Sequence, residues 1–129
     1  MPALLLVAAI SPACSGPDGG LPRAYRRVEI PAGVLTSSDA NARGRRLFAE
    51  HCALCHGVRG DGRGERSEGL TRPPRDFTSE DWQRSTTPRR VFFAIREGLA
   101  GTPMPQWKSL SEQDAWDLTA YILSLGNRK

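Results

Sequence analysis

The chain has 129 residues, which is room for one domain with a modest core and, by the same measure, one active centre. A charged fraction of 25% and a mean hydropathy of −0.43 are ordinary for a water-soluble fold and argue against a membrane span in the mature chain. The formal charge of +4 is carried almost entirely by arginine, scattered among acidic residues without an aromatic-basic stripe. That pattern speaks against a nucleic-acid partner and suits an acidic protein partner.

The chain opens on an apolar run from Ala3 to Ile10, too short to cross a bilayer and followed by small residues. It reads as an export signal over residues 1–13, although the usual basic residues before the apolar run are missing. Ser11-Pro12-Ala13 meets the small-x-small rule for cleavage and leaves Cys14 as the first mature residue. Ala13 and Cys14 resemble the end of a lipobox, so Cys14 is the candidate for lipidation, while Ser11 and Pro12 depart from that pattern. From Cys14 to Ser37 the sequence is rich in Gly, Pro, Ser and Arg and lacks a helical period. It is expected to be a flexible tether, with the folded domain over 38–129.

A first helix is predicted through "DANARGRRLFAEHC", capped by Ser37 or Ser38, with Gly44, Leu47 and Phe48 on one side. A glycine inside a helix costs about 1 kcal/mol relative to alanine, so Gly44 marks a close approach by another helix. The helix runs into "HCALCH", residues 51–56, which raises three possibilities: zinc ligands, a redox dithiol or a haem attachment site.

"GVRGDGRGERSEGLTRPP" follows as a loop, and a short turn of helix is expected at Ser79–Trp82. The next helix has Thr87 as cap and Pro88 at its first position, where a missing N–H does no harm. Val91, Phe92, Ile95 and Leu99 form its apolar stripe and Gly98 is expected to end it. Beyond it, "GTPMPQW", residues 101–107, holds Met104 between Pro103 and Pro105, which fix φ on both sides and discourage a helix. The last helix starts at a capping-box pattern, Ser111 and Asp114. It carries Ala115, Leu118, Ile122 and Leu125 as a stripe and is expected to stop at Gly126.

The ligand count decides the cysteine question. Zinc needs four ligands, and outside "HCALCH" the chain offers no other histidine and only Cys14. A thioredoxin-like dithiol would require a βαβ pattern, which is absent. Cys52 and Cys55, three apart on a helix, can reach one planar ring, and His56 follows where the ring's metal would sit. Apart from Met1, Met104 is the single methionine and the soft donor available for the opposite face. His51, next to Cys52 but pointing away from it, reads as a surface residue.

These pieces together resemble a class I c-type cytochrome, a mono-haem bacterial cytochrome c. The match runs from about Asp39 to Gly126 through "GRRLFAEHCALCHG", the "GDG" loop, "GTPMPQW" and "LSEQDAWDLTAYILSL". The resemblance implies an all-α cytochrome c fold of three to four helices with long loops around one covalently bound haem c. It implies thioether bonds from Cys52 and Cys55, axial ligation of the iron by His56 and Met104, and a crossing of the first and last helices with Gly44 and Phe48 near Tyr121. A proline carbonyl, from Pro73 or Pro74, is expected against the other nitrogen of His56. Arg75, Trp82 and Trp107 are candidates for meeting the haem propionates.

Filled axial positions make an electron carrier rather than an enzyme, because no vacant iron site remains for oxygen or peroxide. The expectation is a periplasmic or otherwise extracytoplasmic monomer, membrane-tethered at Cys14, that shuttles single electrons between redox proteins. The alternative is a fixed haem-bearing subunit of a larger oxidoreductase. Arg59, Arg63, Arg66, Arg72 and Arg75 would recruit an acidic patch on the partner.

Overall fold

The computed structural model describes residues 16–127, and within them the chain is helical without strands. The expected export signal and Cys14 lie outside the described residues. In chain order the helices are α1 (Arg23–Arg26), α2 (Ser38–His51), α3 (Ala53–His56), α4 (Glu80–Ser85), α5 (Pro88–Glu97) and α6 (Glu112–Ser124). Single 3-10 turns stand at Val34–Thr36 and Leu125–Asn127. None of these helices is long and apolar enough to cross a membrane.

Local chemistry explains the helix starts. The side chains of Ser37, Ser79, Thr87 and Ser111 each accept a backbone N–H from the first turn of α2, α4, α5 and α6. At α6 the Asp114 carboxylate returns the bond to the Ser111 N–H, completing the capping box. Two boundaries differ from expectation. Leu99 falls beyond α5 and is 47% exposed, because Gly98 turns the chain away before the stripe can continue. Gly126 lies inside the 3-10 turn that tightens the end of α6, so the α-helix stops at Ser124 rather than at the glycine.

The core is built on the crossing of α2 and α6, the most extensive contact between elements. A Cβ at Gly44 would lie 2.0 Å from the Asp117 carbonyl oxygen, so only glycine allows this separation. Phe48 packs on Tyr121 at 5.2 Å between ring centroids and on Phe77 at 6.2 Å. α6 is more deeply buried than a one-sided stripe predicts, since every residue from Ala115 to Ile122 is buried. α2, α5 and the Val34–Thr36 turn all pack on it. That leaves Asp117 with 0% exposure, satisfied by a two-pronged bond from Arg43 (2.6 and 3.2 Å) and by Gln113 Nε2 at 2.9 Å.

The expected flexible tether needs correction. From Gly16 onward the segment is folded onto the domain: Leu21 and Val34 are buried, and Tyr25, Val28 and Ile30 pack against the core. Composition concealed this because a few well-spaced apolar side chains are enough to dock a strap whose backbone is otherwise glycine- and proline-rich. The folded unit therefore begins well upstream of residue 38.

Candidate functional site

Cys52, Cys55 and His56 sit where α2 gives way to α3. Cys52 caps α2, and its carbonyl accepts the N–H groups of Cys55 at 3.2 Å and His56 at 2.9 Å, which winds the segment into one tight turn. The loop after it is tied to the same turn: Gly62 N–H donates to the His56 carbonyl (2.8 Å), Gly64 to Cys55 (3.1 Å) and Arg66 to Leu54 (2.9 Å). The "GDG" glycines let this loop fold back over the attachment segment.

His56 is held on two sides. Its ring stacks on Phe77 at 4.4 Å and 19°, and its Nδ1 lies 3.0 Å from the Arg75 carbonyl oxygen. A carbonyl can only accept, so Nδ1 carries the proton and Nε2 keeps its lone pair. Burial pushes the imidazole below its ordinary pKa, outweighing the opposing pull of the Arg75 carbonyl, so the neutral form is the resting one. The expected proline carbonyl is thus corrected to that of Arg75, next along from Pro73 and Pro74. Phe77 N–H bonds to the Gly60 carbonyl at 2.7 Å, which fixes the register of "RPPRDF" and delivers the residue after the prolines.

Cys52 and Cys55 are not joined in a disulfide. Burial, with a smaller contribution from Cys55, pushes the Cys52 thiol up to about 12. Among the described residues no three His, Cys, Asp or Glu side chains converge as a zinc site needs.

Met104 stands on a separate loop. Its carbonyl accepts the Leu99 N–H at 3.3 Å, and its own N–H donates to Thr102 Oγ1 at 3.2 Å. Trp107 N–H donates to the Ile95 carbonyl at 2.9 Å, so the loop is pinned to the end of α5 at both ends. Gly98, at φ +68°, makes this possible: a Cβ there would fall within 2.9 Å of the backbone of Met104, Pro105 and Gln106. Trp107 connects this loop to the attachment segment, with its ring 5.0 Å from that of His51. His51 is accordingly half-buried against an indole, because the 98–107 loop returns to the end of α2.

The donor chemistry fits a haem: two thiols, a neutral imidazole with one free nitrogen, and a thioether on a braced loop. A further polar atom also fits. Trp107 Nε1 is buried without a partner three residues after Met104, an N–H that a bound carboxylate would satisfy. Trp116 Nε1 is likewise unpaired, but its ring lies inside the core, stacked on Phe92 at 4.1 Å. Trp82, also a propionate candidate, packs on Phe77 at 4.9 Å with the two rings tilted by 51°, and Arg75 is exposed.

A helical frame closed by the α2/α6 crossing, with a C-x-x-C-H turn facing loops rather than strands, defines a c-type cytochrome. The chain belongs to the cytochrome c family, whose model, "Cytochrome c", matches residues 41–126. Membership carries covalently bound haem c and haem-based electron transfer. The chain is 31% identical to a thiosulfate dehydrogenase of Stutzerimonas stutzeri (strain A1501), over 79% of this chain and 31% of that protein. It is 34% identical to the Cbb3-type cytochrome c oxidase subunit CcoP of Rubrivivax gelatinosus, over 76% and 30%. It thus spans about a third of the length of these curated relatives. Among solved structures it is similar to the Kuenenia stuttgartiensis reducing HAO-like protein complex Kustc0457/Kustc0458, with a TM-score of 0.63 and 31% identity over 76% of this chain and 49% of that one. It is also similar to the KustC0563 c-type cytochrome, with a TM-score of 0.53 and 28% identity over 64% and 95%.

Proposed function

We propose that this protein carries single electrons through one c-type haem, bound covalently by Cys52 and Cys55 and ligated by His56 and Met104. When bound, the haem supplies a one-electron couple at its iron. The chain's part is to fix the ligands. The observation that carries this reading is the His56 ring, whose Nδ1–H is committed to the Arg75 carbonyl at 3.0 Å while Nε2 is left as a donor, one residue after Cys55. The carbonyl sets the ring's orientation and increases its basicity, and Phe77 prevents it from turning. Met104, braced by Pro103 and Pro105, offers a weak donor that favours the reduced metal, so the potential should stand above that of a bis-histidine site in like surroundings. Trp107 Nε1–H is the group we assign to a haem carboxylate.

With both axial positions held by the protein, the domain is an electron carrier and not itself an enzyme. It works outside the cytoplasm as a monomer, held to the membrane by a lipid on Cys14. The named relatives that form parts of larger redox enzymes favour a second reading, a fixed haem subunit of such an assembly. In either case the docking face is the loop after His56. Arg59, Arg63, Arg66, Arg72 and Arg75 are all exposed, and only Arg59 forms an ion pair among the described residues, with Asp61 at 3.4 Å.

Met104→Ala tests the ligand assignment. The covalent haem should remain, the ferrous protein should become able to bind carbon monoxide at neutral pH, and any ferric sulfur-to-iron charge-transfer band should vanish. Survival of that band would assign the sulfur ligand elsewhere.

A further inference from the structure

We propose that residues 17–37 are a docked strap that reduces the membrane leash to the three peptide links from Cys14 to Pro17. The haem domain is thereby held against the bilayer and restricted to partners whose redox centre lies at the membrane surface. This rests on the reading of Cys14 as the lipid anchor.

The strap is fastened along its length. At its start, Arg90 of α5 donates from Nε to the Pro17 carbonyl at 2.9 Å and from Nη2 to the Gly19 carbonyl. Asp18 accepts from Thr87 Oγ1, the cap of α5, and pairs with Arg89 at 3.3 Å. Further on, Arg89 Nε donates to the Val28 carbonyl at 3.0 Å, and the Tyr25 hydroxyl donates to Glu97, which also pairs with Lys108 at 2.8 Å. Tyr25 lies edge-on to Phe93 at 4.8 Å, while Leu21 and Val34 are buried. A linker composition that makes this many specific bonds to one helix is part of the fold.

The geometry changes the reach by a large factor. A flexible 24-residue tether from Cys14 to Ser38 would have an r.m.s. span of about 25–29 Å and a full extension of about 80 Å. With the strap docked, the three peptide links from Cys14 to Pro17 can span at most about 11 Å. A roaming carrier and a membrane-hugging relay differ in this length.

The test is neutron reflectometry on the full-length acylated haem protein in a supported phosphatidylcholine bilayer, with mass spectrometry confirming acyl chains on Cys14. The protein layer should begin within about 10 Å of the headgroups. Asp18→Ala combined with Arg90→Ala should widen the gap to roughly 25 Å while leaving the haem spectrum unchanged. Hydrogen exchange on the unmodified bilayer-bound protein gives an independent readout that survives if the variant misfolds. The Tyr25 and Val34 amides, bonded to the Pro22 and Pro31 carbonyls, should exchange at least tenfold more slowly than the same peptides free in solution. An acylated protein with a wide gap and unprotected strap amides overturns the leash and leaves the anchor standing. A Cys14 without acyl chains overturns the anchor, and the leash falls with it.

Discussion

Gly44→Ala adds a single methyl group at the point where α2 and α6 cross, and its cost can be worked from the positions of the obstructing atoms. The new Cβ would stand 2.0 Å from the Asp117 carbonyl oxygen, 2.6 Å from the Asp117 carbonyl carbon and 2.8 Å from Tyr121 Cβ. A normal carbon–oxygen contact is about 3.3 Å, so the helices must part by roughly 1.3 Å. The carbonyl is backbone inside a buried helix and cannot swing aside as a side-chain tip would. Overpacking costs about 1–3 kcal/mol, and the rigidity of the obstacle places this site at the upper end. Alanine regains about 1 kcal/mol of helix propensity, which leaves a net loss of about 2 kcal/mol. Urea unfolding of the haem-loaded protein should show this as a midpoint lowered by about 1 M, with the slope unchanged. In a thermal scan the loss corresponds to about 8 °C for a chain of this size. Gly16→Ala, with nothing within 4 Å of its Cβ, serves as the control and should be close to neutral. An unchanged or raised midpoint for Gly44→Ala would refute the argument that the crossing depends on the absent side chain.

Three other outcomes are expected. Reversing Arg72 and Arg75 to Glu should flatten the salt dependence of electron transfer to the partner without altering the haem spectrum, since the Arg75 carbonyl that holds His56 is retained; screening shortens from roughly 30 to 8 Å between about 0.01 and 0.15 M salt. A rate indifferent to salt in the unmodified protein would rule out steering. Cys52→Ala with Cys55→Ala should prevent covalent attachment, and the resulting apo-chain should lose most of its helical circular dichroism, because haem supplies apolar core that so small a domain needs. Burial, reinforced by the bond to Glu97, pushes the Tyr25 phenol up to about 12 from 10.0. Its contribution to stability is therefore complete below about pH 10 and lost as pH rises through about 12. Ultraviolet difference titration should resolve this late step, and Tyr25→Phe should remove it.

What the sequence alone determined is whatever is encoded within a turn or two of chain. Thr87 before Pro88, and Ser111 three residues before Asp114, specify helix starts because a cap is a local bond. "HCALCH" specifies its chemistry because two thiols and an imidazole on one turn have few other uses, and Gly44 announced a close contact because it costs helix stability unless something needs the space. What only the tertiary structure decided depends on distant partners. A carbonyl has no signature in the residue that carries it, so Arg75 could not be distinguished from Pro73 or Pro74 until Gly60 fixed the register of Phe77. Asp117 lies outside the Ala115, Leu118, Ile122 and Leu125 stripe, and only the packing of other elements around α6 makes it a buried carboxylate paired with Arg43. Residues 16–37 looked like a linker because composition reports average hydropathy, whereas docking depends on where Leu21, Tyr25 and Val34 meet the helices they cover.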